Sequence, residues 1–471
     1  MSPDALSELS MTEAADSFAR GEVTAKSLVD AMLHRLARHE PQVNSLIRLD
    51  REDALLGAYA ADKARAAGKP LGRLAGVPML HKDMYYRQGK VSTCGSKIRR
   101  DFVPPVTATV LRRLDAAGAM DCGTLNMAEF AQNPTGHNAH FGDAMNPWNA
   151  AHCTGGSSSG SGAAVAARFV TAALGSDTGG SIRLPASMCG VTGLKPTQTR
   201  VPRTGVMPLS FSADNVGPLC RTARDAARFL SVIAGACPDD PTSATEPVPD
   251  YEAAMTGDLR GMRLAVIEPW FLDDIEAPVA SAFEAAIRVL QSLGARTETV
   301  SPGCLHAITT YTSVVSRVEG ATIHAQWMRE RPGDYAAHLS ARIYGGYAIP
   351  ATVYLEALSR RGPLLRRFCT EALGGFDALL TPSLRMRVPT RAEVNVDASA
   401  ENWGRFMALS ANTRPFNYLG LPTISVPAGF DDRGLPVGLQ IAARPFGEAR
   451  LLRIADAFQR ETDWHKRNPL P

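Results

Sequence analysis

The segment LGSDTGGSIRLPASMCG, residues 174–190, decides how the fold of this chain is interpreted. An apolar strand-like run precedes it, and the chain then turns sharply at Gly179 and Gly180. A serine nucleophile needs a tight, exposed turn whose backbone N–H groups can receive a developing oxyanion. Gly179 and Gly180 have no side chains to block a carbonyl group, so the pattern favours Ser181 as a nucleophile. An ordinary glycine turn capped by Asp177 is the competing interpretation.

A second glycine- and serine-rich segment, CTGGSSSGSGAAVAA, occupies residues 153–167. Such a composition is typical of a flexible linker. Here, however, an alanine-rich helical stretch and a strand-like stretch follow at once. A phosphate-binding loop is a further alternative, but neither G-x-x-x-x-G-K-[ST] nor G-x-G-x-x-G occurs at a strand-to-helix junction. The segment is therefore interpreted as part of the regular structure and not as a linker.

A serine nucleophile requires a base, and Lys82 is the best candidate. No histidine has a convincing local context, and G-x-S-x-G is absent around Ser181, which disfavours an α/β-hydrolase triad. Lys82 follows the apolar run 77–80, so it is predicted at the buried end of a strand. Burial lowers the pKa of a lysine and allows it to act as a base. A surface lysine is the alternative interpretation.

Composition excludes several other classes. The 471 residues carry 50 basic and 47 acidic side chains in scattered positions, which indicates neither a nucleic-acid nor a membrane partner. The eight cysteines form no C-x-x-C pair or zinc pattern, so we expect reduced core residues, no metal and no cofactor. The N-terminus lacks the features of a signal peptide, and no apolar run reaches ~18 residues. A cytoplasmic enzyme, monomeric or homodimeric, is predicted.

Alternating strand and helix patterns predict the α/β class, with a central mixed β-sheet covered on both faces by helices. The chain is predicted to form one domain over 1–471. Its parts are N-terminal helices at 1–69, a catalytic core at 70–235, a variable substrate-shaping region at 237–410, and a C-terminal part of the core at 411–471. The stretch 237–258, rich in Pro, Asp and Thr, is predicted as a loop or linker.

Individual elements are predicted from periodicity and caps. Thr12 is expected to cap a first helix that ends at Gly21, and Thr24 a second. Further helices are predicted at 53–67, 107–117, 163–169, 277–293 and 451–461, with mostly helical structure at 305–375. Strands are predicted at 77–80, 120–123, 171–174, 264–267, 376–380 and 423–426.

Three segments in order resemble the amidase signature family. GVPMLHKDM (76–84) resembles its lysine motif, NPWNAAHCTGGSSSGSGAA (146–164) its first serine motif, and GSDTGGSIRLPASMCGVTGLKPT (175–197) its nucleophile motif. Two tail segments, FNYLGLPTISVPAG (416–429) and GLPVGLQIAARPFGEARLL (434–452), are also similar to the family. The resemblance covers nearly the whole chain and is weakest between about 237 and 375.

The resemblance implies hydrolysis of an amide-type bond through an acyl-enzyme. Ser181 would attack the carbonyl group, Ser157 would carry the proton, and Lys82 would be the base. The peptide bond between Gly156 and Ser157 would be cis.

The resemblance also implies supporting roles around the nucleophile. The oxyanion would be received by backbone amides of Thr178, Gly179, Gly180 and Ser181. Asp177 and Arg183 would hold the turn without reacting.

The resemblance implies a small-molecule substrate that is an amide or a carbamate. The chain also looks like bacterial urethanases of the family, which cleave aryl carbamates. Met127, Phe130 and Gln132 are predicted pocket walls. The aromatic-rich stretch 305–350, with Tyr311, Trp327, Tyr335, Tyr344 and Tyr347, is predicted as a lid or pocket for bulky groups, with a helical layer packed on the core as the alternative. Two alternatives stay open: an A-type subunit of a tRNA-dependent glutamine amidotransferase, and a non-catalytic binding protein of the same fold.

Overall fold

The computed structural model describes residues 1–470, in which eleven strands form a mixed sheet. The strands are β1 (Leu46–Leu49), β2 (Pro78–Lys82), β3 (Met120–Leu125), β4 (Ala172–Asp177), β5 (Thr192–Lys195), β6 (Asn215–Cys220), β7 (Arg263–Ile267), β8 (Arg296–Val300), β9 (Ala378–Pro382), β10 (Thr423–Phe430) and β11 (Pro436–Ala442). Their order across the sheet is β1-β3-β2-β4-β6-β5-β10-β11-β9-β7-β8.

Helices flank this sheet and account for much of the remaining chain. They are α1 (Pro3–Ser7), α2 (Met11–Arg20), α3 (Ala25–Val43), α4 (Arg51–Ala66), α5 (Thr109–Ala116), α6 (Ser159–Ala166), α7 (Arg183–Cys189), α8 (Ala223–Ile233), α9 (Ala277–Ser292), α10 (Leu305–Glu330), α11 (Ala337–Tyr347), α12 (Ala351–Leu373), α13 (Trp403–Ala408), α14 (Arg414–Tyr418) and α15 (Glu448–Glu461).

The central strands are buried along their whole length. Every residue of β2, β4, β5, β6, β9 and β11 is buried. Because successive side chains of a strand point to opposite faces, complete burial means that both faces of the sheet are covered there. The predicted fold class is therefore confirmed.

The strands that follow the stretch 237–258 join the same sheet as those that precede it. β10 pairs antiparallel with β5, with Thr423 opposite Lys195. β7 then lies parallel to β8 and β9, on the far side of β11. The predicted strands are all present, although several are longer than expected.

The N-terminal helices illustrate one wrong assignment. Ser10, not Thr12, caps α2: its hydroxyl accepts from the Glu13 amide, and the Glu13 carboxylate accepts from the Ser10 amide. Thr12 instead donates to Asp225 from both its amide and its hydroxyl. The predicted Thr24 cap of α3 is confirmed by a hydrogen bond from the Ser27 amide.

Two further element boundaries differ in a way that matters for the site. α6 begins at Ser159, earlier than the predicted residue 163, and β4 runs on to Asp177. α6 therefore begins directly after one glycine turn, and β4 ends directly before the other. Among residues 1–470, no helix combines the length and apolarity needed to cross a membrane. The eight cysteines are all buried and unpaired there.

Candidate active site

Lys82 is the last residue of β2, and its side chain is completely buried. Its Nζ donates to Ser157 Oγ at 2.7 Å and to Ser176 Oγ at 2.8 Å. Burial lowers the pKa of Lys82 to about 7, and the negative charges of Asp177 and Asp214 oppose part of this shift. A substantial fraction of this lysine is therefore neutral near neutral pH and able to accept a proton.

Ser157 lies in a loop that neighbouring backbone groups fix tightly. The peptide bond between Gly156 and Ser157 is cis, as the resemblance implied. The Gly156 amide donates to the Pro134 carbonyl at 2.7 Å, and the Ala128 amide donates to the Ser157 carbonyl at 3.1 Å. A Cβ on Gly156 would lie 2.5 Å from the Asn133 carbonyl oxygen, so only glycine fits. Ser157 is thus held against Lys82.

The nucleophile turn runs from the end of β4 to the start of α7. The Ser158 amide donates to the Ser181 carbonyl at 3.3 Å, which brings the two serine loops side by side. Ser181 keeps 9% of its surface exposed, whereas Lys82 and Ser157 are fully buried. Ser181 therefore faces the cleft, with the other two residues behind it.

Asp177 and Arg183 hold this turn from its buried side, away from the cleft. The Asp177 carboxylate accepts from the Gly180 amide at 2.8 Å and pairs with Arg183 at 2.9 Å, both side chains being fully buried. Burial alone would raise the pKa of Asp177, but the Arg183 guanidinium holds it well below its usual range. Both side chains make contacts within the turn, and neither lines the cleft.

Arg183 extends the network to distant parts of the chain. Its guanidinium donates to the Thr413 carbonyl, to Gln440 Oε1 and to Asn417 Oδ1, at 2.9, 2.8 and 2.7 Å. These partners come from the C-terminal strands and α14, so the turn is locked to the end of the chain. The roles of Asn417 and Gln440 were not predicted from the sequence. Ser176 was not predicted either, although a polar side chain within a buried strand indicates a residue of a site.

The cleft in front of Ser181 is narrow, with a volume of about 40 Å³. Of the three proposed pocket residues, Gln132 lines it. Phe130 does not: it is buried and packs against His324, Trp327 and Tyr335, with ring centroids 4.6, 5.4 and 5.8 Å away. Met127 is also a fully buried core residue and not a cleft wall.

The aromatic residues of 305–350 do not form the predicted pocket. Trp327 and Tyr335 pack on Phe130, while Tyr344 and Tyr347 remain 53% and 49% exposed. The same stretch instead contributes Thr312, Ser316 and Arg342 to the cleft. An aryl-binding lid was thus a wrong expectation for these side chains, because their rings point into the helical layer or to the surface.

In the part of the chain that the structure describes, one group of side chains has the composition of a metal site: His137, His338 and Asp397. It borders a separate cavity of about 530 Å³. His338 Nε2 faces Asn133 Nδ2 at 3.2 Å, and the amide orientation is fixed because Asn133 Oδ1 accepts from the Thr135 amide. His338 therefore carries its proton on Nδ1, which donates to Asp397 at 2.7 Å, so both ring nitrogens are already used.

Comparison with known proteins defines the class. The amidase family model matches residues 27–452. The chain belongs to the amidase signature family, and it is an amidase-family enzyme that acts on C–N bonds.

Individual relatives add detail. The A-type subunit of glutamyl-tRNA(Gln) amidotransferase from Roseiflexus sp. (strain RS-1) is 41% identical, and the match covers 98% of each chain. A solved chain described under "An unexpected vestigial protein complex reveals the evolutionary origins of an s-triazine catabolic enzyme" is 31% identical with a TM-score of 0.89, covering 96% of this chain and 98% of that one. The corresponding A-type subunit from Thermotoga maritima is 30% identical with a TM-score of 0.79, covering 98% and 95%.

Proposed function

We propose that this protein hydrolyses amides through an acyl-enzyme formed on Ser181, with Ser157 and Lys82 as the proton relay. The observation that carries the proposal is the 2.7 Å hydrogen bond between Lys82 Nζ and Ser157 Oγ, buried directly behind the Ser181 turn. General amide hydrolysis agrees with the family. No histidine is needed, because the buried lysine has a pKa of about 7.

The proton path follows from this arrangement. Neutral Lys82 accepts the Ser157 proton while Ser157 takes the proton of Ser181, whose Oγ attacks the carbonyl carbon. When the tetrahedral intermediate collapses, the C–N bond breaks, and Ser157 returns a proton to the leaving amine. Water then adds to the acyl-enzyme by the same relay and releases the acid and free Ser181.

The oxyanion is received by backbone amides of the turn. Of the four predicted donors, Gly180 is engaged, because its amide donates to Asp177. The amides of Thr178, Gly179 and Ser181 make no hydrogen bond to the rest of the described chain and are the proposed donors. Loss of one such donor typically costs roughly 2.7–4 kcal/mol of transition-state stabilisation.

The test is reaction with a fluorophosphonate, which labels an activated serine, combined with amide hydrolysis. We expect wild-type enzyme to label on Ser181, and Ser181→Ala and Ser157→Ala to lose turnover by at least about a thousandfold. Ser187→Ala is a matched control, because Ser187 is a buried serine of α7 whose Oγ makes no hydrogen bond in residues 1–470. Absence of labelling in folded wild-type protein would favour a non-catalytic binding protein.

A second candidate is the role of an amidotransferase A-type subunit, which the 41% identical relative named as such a subunit favours. It predicts glutaminase activity that depends on partner chains, and copurification of those chains from the native host. The first candidate instead predicts hydrolysis by the isolated chain, as a monomer or homodimer.

Carbamate hydrolysis is a finer possibility within the first candidate. A carbamate presents the same carbonyl group and an amine leaving group to Ser181, so the proposed relay needs no change. Parallel rates with aryl carbamates, anilides and aliphatic amides test it, and a wild-type rate on carbamates below one hundredth of the amide rate would exclude urethanase activity.

A further inference from the structure

Two arginines project into the cleft beside Ser181 without an acidic partner. Arg342 comes from α11 and Arg414 begins α14, and both line the cleft. Within residues 1–470, neither forms a salt bridge. Arg342 Nε is buried and has no hydrogen-bond partner. The hydrogen bond of the Arg414 guanidinium is a weak one, to Met407 Sδ at 3.9 Å.

The lack of acidic partners for Arg342 and Arg414 is unusual for the site, as a comparison with Arg183 shows. Arg183 lies only two residues beyond Ser181, yet its guanidinium is fully paired with Asp177, Thr413, Gln440 and Asn417. An unpaired guanidinium in a narrow cleft loses hydration without compensation. A structural role therefore accounts for Arg183 but not for Arg342 or Arg414.

No carboxylate balances these charges in the cleft. The lining side chains, all within the described part of the chain, include two arginines and neither Asp nor Glu. The carboxylates nearby are engaged elsewhere: Asp214 accepts from Thr178 Oγ1 at 2.6 Å, and Glu319 accepts from Ser212 Oγ at 2.7 Å and Tyr354 Oη at 2.9 Å. The cleft is therefore positively charged.

Two neutral side chains of the same cleft also have unpaired polar atoms. Gln132 Nε2 and Ser410 Oγ are buried and, in residues 1–470, make no hydrogen bond. Buried polar atoms are nearly always paired, so several unpaired ones around one cleft call for a polar ligand. A carboxylate accepts from about four donors at once, including a bidentate guanidinium.

The guanidinium groups of Arg342 and Arg414 repel each other and are also desolvated. Burial, reinforced by neighbouring arginines, lowers the pKa of Arg342 to about 10 and that of Arg414 to about 9. Both guanidinium groups are nevertheless protonated at neutral pH. An anion between them would relieve both the desolvation and the mutual repulsion.

We propose that the cleft is a carboxylate-binding subsite formed by Arg342 and Arg414, which selects short amide substrates that carry a carboxylate and no positive charge. This inference rests on the proposed function and names its substrate class. A Cβ placed on Gly179 would lie 3.4 Å from Arg414 Cγ, so the arginine passes directly beside the oxyanion turn. Because Ser181, Arg342 and Arg414 all line this one cleft, the carboxylate and the scissile carbonyl belong to one small molecule.

The charge of the cleft also distinguishes this substrate class from glutamine. The α-carboxylate of glutamine suits the arginines, but its α-ammonium has no acidic partner among the lining residues. Glutaramate, which is glutamine without the ammonium, is therefore expected to be the better substrate. This distinction makes the subsite testable against the amidotransferase alternative.

The experiment compares substrates that differ in one group. Glutaramate is set against glutaramide, which replaces the carboxylate by a neutral amide, and against glutamine; malonamate and succinamate vary the length. We expect the best anionic monoamide to exceed its neutral counterpart at least tenfold in kcat/KM, with glutamine below glutaramate. Loss of a hydrogen bond to a charged group costs about 1.5–3 kcal/mol, or about ten- to hundredfold.

Variants assign the effect to the two arginines. In Arg342→Met and Arg414→Met, KM for the anionic monoamide is expected to rise about ten- to hundredfold, and the preference over the neutral diamide to fall towards one. Arg329→Met is the matched control, because Arg329 is an exposed arginine of α10 that does not line the cleft and does not contribute to the lowered pKa of Arg342 or Arg414. Its preference should stay within about twofold of wild type.

Three outcomes overturn the subsite, and they are distinguishable from failure of the proposed function. Equal rates on neutral and anionic amides, or full anion preference in both methionine variants, refute it even though Ser181 still reacts with fluorophosphonate. Calorimetry with succinate on the Ser181→Ala enzyme needs no turnover: binding that Arg342→Met removes supports the subsite, and no binding refutes it.

Discussion

Lys82 combines complete burial with hydrogen bonds to two serine hydroxyls, and this combination sets how activity depends on pH. The base must be neutral, so kcat/KM should rise with pH through the Lys82 pKa of about 7 and level off above pH 8. At pH 6 it should be about a tenth of the plateau. A pH–rate profile with an uncharged amide measures this, and a flat profile between pH 6 and 8 would contradict the assignment of Lys82 as the base.

Ser176 is the second acceptor of the Lys82 ammonium group and was not predicted. Ser176→Ala should reduce kcat about tenfold, because Lys82 loses one of the two hydrogen bonds that orient it. It should also move the acidic limb of the pH–rate profile to lower pH, because the hydroxyl acceptor stabilises the charged form of the lysine. The pH–rate profile is the diagnostic measurement, since a purely structural defect would lower the rate without moving the limb.

At the scale of elements, the strand-to-helix turn between β4 and α7 is the part of the fold that creates the site. Gly180 has φ +134°, and a Cβ there would lie 2.3 Å from Thr413 Oγ1. Gly180→Ala should therefore lower the free energy of unfolding by about 1–3 kcal/mol and remove most activity, because the oxyanion amides are displaced. Denaturant titration and amide turnover measure the two effects.

Gly345→Ala provides the control for that substitution. Gly345 lies within α11, and a Cβ there would meet nothing within 4 Å. Alanine in place of a helical glycine should raise the free energy of unfolding by up to about 1 kcal/mol. If Gly180→Ala behaved like Gly345→Ala, the argument that the turn requires glycine would be wrong.

At the scale of the whole molecule, we propose that residues 1–471 form one domain although the stretch 237–258 resembles a linker. The sheet crosses this boundary where β10 pairs with β5, and Arg183 donates to Asn417 and Gln440 from the C-terminal part. A chain cut by a specific protease at a site inserted between Val248 and Pro249, which are exposed, should therefore keep both fragments associated. Gel filtration after cleavage measures this, and separation of the fragments without denaturant would indicate two domains.

The catalytic candidates could be proposed from the sequence alone because their signals are local. Glycine turns, a serine beside them and a lysine at the end of an apolar strand are each visible within a few residues, and the segments that resemble the family fixed their roles. Locality also explains the errors: Thr12 looked like a cap because its true partner, Asp225, is 213 positions away.

Only the tertiary structure decided which residues meet in the cleft. Lys195 is also the last residue of a buried strand and is also fully buried, with a pKa lowered to about 7 by burial, yet its Nζ donates to the Pro196 carbonyl and not to Ser157 or Ser181. Likewise, nothing in the sequence indicates that Arg342 and Arg414 line the same cleft. By itself the sequence determined the local pattern from which the role of Ser181 is predicted, whereas the charge of the cleft depends on long-range packing that leaves two arginines without partners.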